Sequence, residues 1–172
     1  MLQERNPANP DLIVFFGSMK NHFWKRGGAW VLTQWFFMAG TLLAGPVWPG
    51  DWGGNGSRVG AAVLLLVGSI FGIAGALQLG RHRTIFPEPV HGSRLVRHGI
   101  FGLVRHPLYT SVILLSFAWA LGWRSEVALW LALATALLLD AKSRFEERRL
   151  RIHFPDYDEY ARRVRRLIPF VY

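Results

Sequence analysis

The stretch Leu95-Val96-Arg97-His98-Gly99-Ile100-Phe101-Gly102-Leu103-Val104-Arg105-His106-Pro107-Leu108-Tyr109 decides how this chain is read. It is polar, basic and punctuated by glycine, and it lies between long apolar runs. Proline lacks an N–H and already holds a helical φ, so Pro107 predicts a helix start. The same ring pushes His106 out of the helical conformation. Arg105 and His106 are thereby placed at the mouth of a helix whose first turn carries Tyr109. The unpaired N–H groups and positive dipole end of that turn suit an anionic group. On composition alone a plainer role fits the same residues: Arg and His before a membrane helix are topology signals, and Tyr is an interface anchor.

The apolar runs on either side set the class. Of 172 residues, 51% are hydrophobic and 18% charged, in long separate blocks. That pattern indicates a single membrane domain, not a soluble core. Without cysteine, disulfides, zinc thiolates, iron–sulfur ligation and a thiol nucleophile are excluded. Towards the N-terminus, 59–80 reads as a span with Gly68, Gly72 and Gly75 on one face, a packing stripe for another helix. The glycines of Asp51–Ser57 read as a loop; no strand precedes them, so they are no nucleotide loop. Residues 29–48 form another span, anchored by Trp30, Trp35 and Trp48. The first 28 residues lack a signal-peptide pattern, and 11–25 fits either a short interfacial helix or a frayed tail.

Towards the C-terminus, 108–123 and 127–141 read as two shorter spans joined by a tight hairpin at Gly122–Ser125. Beyond Asp140 the composition turns to Arg, Glu and aromatics. Its periodicity predicts two short helices outside the bilayer, about 142–153 and 156–166, broken near Pro155. Of the 20 Lys and Arg, four precede the first span, five lie in the 81–106 loop and nine follow the fourth span. Only Arg58 and Arg124 fall on the other side. This predicts a multi-pass protein with both termini and the central loop in the cytoplasm. The net charge of +9 is then a topology signal beside the bilayer, and nucleic acid is discounted. The six histidines show no metal-ligand spacing, and His82, His91, His98 and His153 read as loop or interface residues.

That topology brings a second polar stretch to the same face: Glu146-Glu147-Arg148-Arg149-Leu150-Arg151-Ile152-His153-Phe154-Pro155-Asp156-Tyr157-Asp158-Glu159-Tyr160. Glu147 and Arg151 stand four apart on one helix, which reads as a surface ion pair whose loss leaves ligand binding nearly intact. Glu146 is set to face the Arg105–Tyr109 turn.

Together the two stretches resemble the isoprenylcysteine carboxyl methyltransferase family, to which integral-membrane phospholipid methyltransferases are related. The shared pattern is Leu-Val-x-x-Gly-x-Phe-x-x-Val-Arg-His-Pro-x-Tyr. It is followed from Glu146 by Glu-Glu-x-x-Leu-x-x-x-Phe-x-x-Tyr-x-x-Tyr-x-x-x-Val. The likeness covers roughly 93–169 and is carried by the pair of motifs around a helical hairpin. It implies an S-adenosylmethionine-dependent methyltransferase without a Rossmann domain. Its fold would be an all-α polytopic membrane protein of about four transmembrane helices, a single domain over 1–172. A cytosolic C-terminal helical segment (142–169) would complete the cofactor pocket with residues 93–109.

By position the resemblance gives Leu95, Val96 and Phe101 to the adenosine, and His106, Pro107, Leu108, Tyr109 and Glu146 to cofactor contact. Phe101 stands where the family commonly has Tyr. Arg105 would tie the loop together or face the acceptor. Lys142 stands where eukaryotic members carry the Arg assigned to the substrate carboxylate, keeping the charge but not the bidentate fork. Arg105 and Lys142 are therefore the candidate catalytic residues. The implied partners are the bilayer and a lipophilic or small apolar methyl acceptor, with no metal. The alternatives are a phospholipid amine N-methyltransferase, a sterol-reductase-like enzyme, for which the chain is short, and a non-enzymatic membrane scaffold built on the glycine face.

Overall fold

The computed structural model describes residue 24 and residues 27–80 and 95–172. The expected N-terminal interfacial segment, His82 and His91 lie outside the described residues. Among the described residues five α-helices follow in order: α1 (Gly28–Val47), α2 (Gly54–Leu79), α3 (Pro107–Trp123), α4 (Glu126–His153) and α5 (Tyr157–Arg163). A short 3-10 helix, Gly99–Gly102, precedes α3. Helices α1 and α2 are long and apolar enough to cross a membrane, while α3 is apolar but only 17 residues long. The outer faces of α1 and α2 carry exposed Leu32, Phe36, Leu43, Leu66, Ile73 and Leu77, a surface suited to lipid and not to water.

Three boundaries differ from the sequence reading, each for a local reason. Helix α2 begins at Gly54, inside the expected loop. Gly53 takes a left-handed φ of 79°, Ser57 Oγ bonds Gly54 O at 3.0 Å, and Arg124 Nη2 reaches the same carbonyl at 3.2 Å. Helix α4 does not stop near residue 141 but runs on as one 28-residue rod. No Gly or Pro interrupts 126–153, so the change from apolar to charged residues alters the helix's surroundings and not its backbone. Helix α5 ends at Arg163, earlier than expected, because Val164–Arg166 turns extended and pairs with the Val104–His106 backbone.

Helix α3 is the centre of the bundle, packed against α1, α2 and α4. The glycine stripe of α2 is a packing face, as expected. A Cβ on Gly72 would lie 2.6 Å from Ser111 Oγ, and Ser111 Oγ donates to Gly68 O at 2.7 Å. The α3–α4 turn is as tight as predicted. Arg124 sits at φ 54°, and Ser125 caps α4 by accepting from Ala128 N while donating to Ala44 O of α1 at 3.2 Å. An apolar cavity of about 740 Å³ opens between α1, α2 and α3 near this turn, walled by Trp35, Leu65, Leu115, Trp119 and Trp123.

Candidate functional site

At the other end of α3 the backbone prepares a pocket. Pro107 is the first residue of α3, and His106 before it has φ −124° and ψ 63°, outside the helical region as the proline requires. The loop reaches this point through Gly99, whose φ of 60° and close approach to Gln78 leave no room for a side chain. The C-terminal tail then straps the loop in place: Arg105 N donates to Arg165 O at 2.8 Å, His106 N to Arg166 O at 3.1 Å, and Thr110 Oγ1 to Leu167 O at 2.7 Å.

Behind this loop lies Glu147, with 1% of its side chain exposed. Its Oε1 takes Arg105 Nη2 at 2.8 Å, His106 Nε2 at 3.2 Å and Arg166 Nε at 3.2 Å. The reading of Glu147 as a surface pair with Arg151 is therefore corrected. Arg151 is present but 3.7 Å away, and the main partners come from the loop and the tail. Burial raises the Glu147 pKa. The hydrogen bond and charge of His106, and then those of Arg105, outweigh burial and hold the carboxyl at about 2. An ionised carboxylate only accepts, so His106 Nε2 is the donor in its contact with Glu147.

The pocket side of the same wall is built from Glu146. Tyr109 Oη donates to Glu146 Oε2 at 2.8 Å, and the His106 ring stacks on Tyr109 with centroids 5.3 Å apart and planes 2° from parallel. His106 Nδ1 stands 3.9 Å from Glu146 Oε2. A cavity of about 140 Å³ opens here. Leu95, Val96, Phe101, His106, Pro107, Leu108, Tyr109 and Glu146, all singled out in the sequence, line it together with Arg105.

The two candidate catalytic residues are placed differently. Arg105 borders the cavity, yet its guanidinium is taken up by Glu147, Ala161 O and Val164 O. Lys142 is buried between α1 and α4, its Nζ 2.7 Å from Gln34 Oε1 and 5.3 Å from the centre of the Tyr109 ring. It is absent from the cavity wall. Burial lowers its pKa, and the Glu146 charge offsets part of that.

The structure adds Leu79, Leu150, Phe154, Tyr157 and Tyr160 to the wall. The sequence carried a signal for four of them. Leu150 and Phe154 continue the face of Glu146 at four-residue intervals, and two tyrosines follow three apart on α5.

The sequence model of the phospholipid methyltransferase family matches residues 57–156, which contain the whole first motif and the second motif as far as Phe154. The cobalt-zinc-cadmium resistance protein CzcN of Cupriavidus metallidurans is 32% identical over 147 residues, 84% of this chain and 63% of that protein. The mouse Delta(14)-sterol reductase is 34% identical over 85 residues, 47% of this chain and 20% of the reductase. The chain thus spans under two thirds of the length of either relative. No solved structure matches it significantly. By its matched residues and paired motifs, the chain belongs to the phospholipid methyltransferase family.

Proposed function

We propose that this protein transfers a methyl group from S-adenosylmethionine to a lipophilic or small apolar acceptor at the membrane. The observation that carries this reading is the single cavity in which the Leu95–Tyr109 stretch meets Glu146 and its neighbours. The residues present suit the cofactor. A carboxylate held by a phenol, Glu146 with Tyr109, matches a cationic group. Leu95, Val96 and Phe101 offer an apolar wall to a base. At about 140 Å³ the cavity is smaller than the roughly 300–1,000 Å³ of ordinary ligand pockets. It would hold part of a nucleoside ligand and leave the rest at its mouth.

When bound, S-adenosylmethionine supplies a methyl group on a sulfonium whose leaving group is a neutral thioether. The protein's task is then alignment and exclusion of water. Glu146 orients the cationic end of the ligand, and Tyr109 and His106 hold Glu146. Arg105, already engaged by Glu147, fixes the loop instead of meeting the acceptor. Lys142, one turn before Glu146, supplies positive charge beneath Tyr109, towards the membrane side. The exposed apolar faces of α1 and α2 support an acceptor that arrives through lipid. In this reading α1 to α4 span the bilayer, both termini are cytoplasmic, and the cavity opens to the cytoplasm.

Titration calorimetry of the purified protein with S-adenosylhomocysteine tests the reading. Binding is expected, and Glu146→Ala should weaken it roughly ten- to hundredfold, the loss of a hydrogen-bonded charge. Absence of binding by the wild type would overturn it.

A further inference from the structure

The tail after α5 heads for the ends of the apolar helices. It pairs in parallel with the loop that enters α3, Arg165 beside Val104. Each further tail residue meets a later point on that loop and helix. Arg165 O takes Arg105 N, Arg166 O takes His106 N, and Leu167 O takes Thr110 Oγ1 at the first turn of α3. Tyr172 Oη then donates to Asp140 Oδ1 at 2.9 Å, where the apolar run of α4 ends. Residues 168–171 therefore lie level with the ends of the apolar stretches of α3 and α4. There the chain closes into a turn: Leu167 N and Ile168 N donate to Tyr172 O, and Val171 N and Tyr172 N donate to Ile168 O. Its apolar side chains face outward, with Ile168 53%, Phe170 84% and Val171 72% exposed. Phe170 holds φ 63°, a left-handed conformation that costs a non-glycine residue free energy. In water that arrangement gains nothing, because the ring stays unburied.

We propose that the 168–171 turn is a lipid-docking element, which sets Phe170 and Val171 into the anionic headgroup layer of the bilayer. Charge selects the partner. Arg162, Arg163 and Arg165 precede the turn, all exposed, and no acidic residue lies between 161 and 172. Arginine beside exposed aromatic and aliphatic side chains fits an anionic membrane surface, where the apolar groups enter and the cations meet phosphate. A second copy docked face to face would bring its own arginines against these. The turn is braced on the cluster that holds the candidate site: Arg166 reaches Glu147 Oε1 through Nε at 3.2 Å and Tyr172 Oη through Nη1 at 3.0 Å. Docking would thus fix the strap that pairs with the Val104–His106 backbone. The inference rests on the reading above in which α3 and α4 span the bilayer.

Because the chain has no cysteine, a nitroxide label can be placed at one position at a time. The test uses the full chain in vesicles of phosphatidylcholine and phosphatidylglycerol, with Val171→Cys, Leu137→Cys and Asp158→Cys labelled separately. Leu137 is exposed in the apolar run of α4, and Asp158 is exposed on α5. The label at Val171 should meet oxygen, which concentrates in lipid, severalfold more than the label at Asp158. It should meet a water-soluble nickel chelate severalfold less. Omitting phosphatidylglycerol, or combining Arg162→Gln, Arg163→Gln and Arg165→Gln, should return it part of the way to water. Equal accessibility at Val171 and Asp158 overturns the proposal. So does a label at Val171 shielded from both reagents, the mark of cover by protein. Indifference to both charge changes overturns the anionic partner. A label at Leu137 open to the nickel chelate would remove the spanning reading and the docking with it. A lipid-embedded Leu137 label beside a water-exposed Val171 label removes the docking alone.

Discussion

The two ends of the α3–α4 hairpin are built from opposite materials. At the turn, contacts are many and individually modest: Trp119 Nε1 donates to Leu42 O, Gly45 lets both Trp119 and Trp123 approach α1, and Ser125 stitches α4 to α1. At the open end a single carboxylate, Glu147, gathers two arginines and a histidine from the loop before α3 and the tail after α5. The large cavity is apolar and lies near the turn; the small one sets Arg105, His106, Tyr109 and Glu146 among apolar side chains and lies at the open end. The turn is held by many separate groups, whereas at the open end one buried carboxylate joins the loop to the tail. That difference follows from dielectric environment. Removing one partner of a buried charge cluster strands the others, while trimming an apolar contact loses only that contact.

Glu147→Ala should break this contrast most severely. It leaves Arg105 and His106 buried without their anion, and we expect a loss of about 3–5 kcal/mol in unfolding free energy. Denaturant unfolding in a mild detergent measures it; a loss below that of a surface pair would show that the open end is not organised around Glu147. The same group gives the protein an acid limit. Its carboxyl is held at about 2 in the folded chain against an ordinary 4.5. Its contribution is complete above about pH 4.5 and disappears as pH falls through its folded pKa of about 2. A midpoint-versus-pH curve should fall over that acid range in the wild type, and Glu147→Gln should flatten it.

A smaller effect is expected at the turn. A Cβ on Gly45 would stand 2.6 Å from Trp119 Nε1 and 2.7 Å from Trp123 Cδ1. Gly45→Ala should destabilise by about 1–3 kcal/mol through overpacking, with little change in ligand affinity. Ser125→Ala should cost about 1 kcal/mol, the ordinary value of a helix cap. Smallest of all is Arg151→Ala. Its side chain is 41% exposed, 3.7 Å from Glu147 and 2.8 Å from the exposed Asp158, so roughly 0.2–1 kcal/mol is expected. If Arg151→Ala matched Glu147→Ala, the pair would after all be the local one that helical spacing suggests.

What could be read in the sequence were features written locally. Pro107 fixed the start of α3, Gly122–Ser125 the turn, and the glycines of α2 a packing face. The eight residues given to the cofactor by motif all meet at one cavity. Glu147 was misread because helical spacing sees only neighbours on the same helix. Its true partners lie on the loop before α3 and on the tail after α5, and no periodicity joins those. Lys142 has the same history, since Gln34 reaches it from α1. Tyr157 is buried in a short helix rich in charge, and no pattern of that helix's own marks it for burial.

Hydrogen exchange with and without S-adenosylhomocysteine tests most directly whether the two motifs form one cofactor site. The amides of 95–109 and those of 146–160 should gain protection together, with the 119–125 turn unchanged. Protection confined to one of the two stretches would contradict a single shared site.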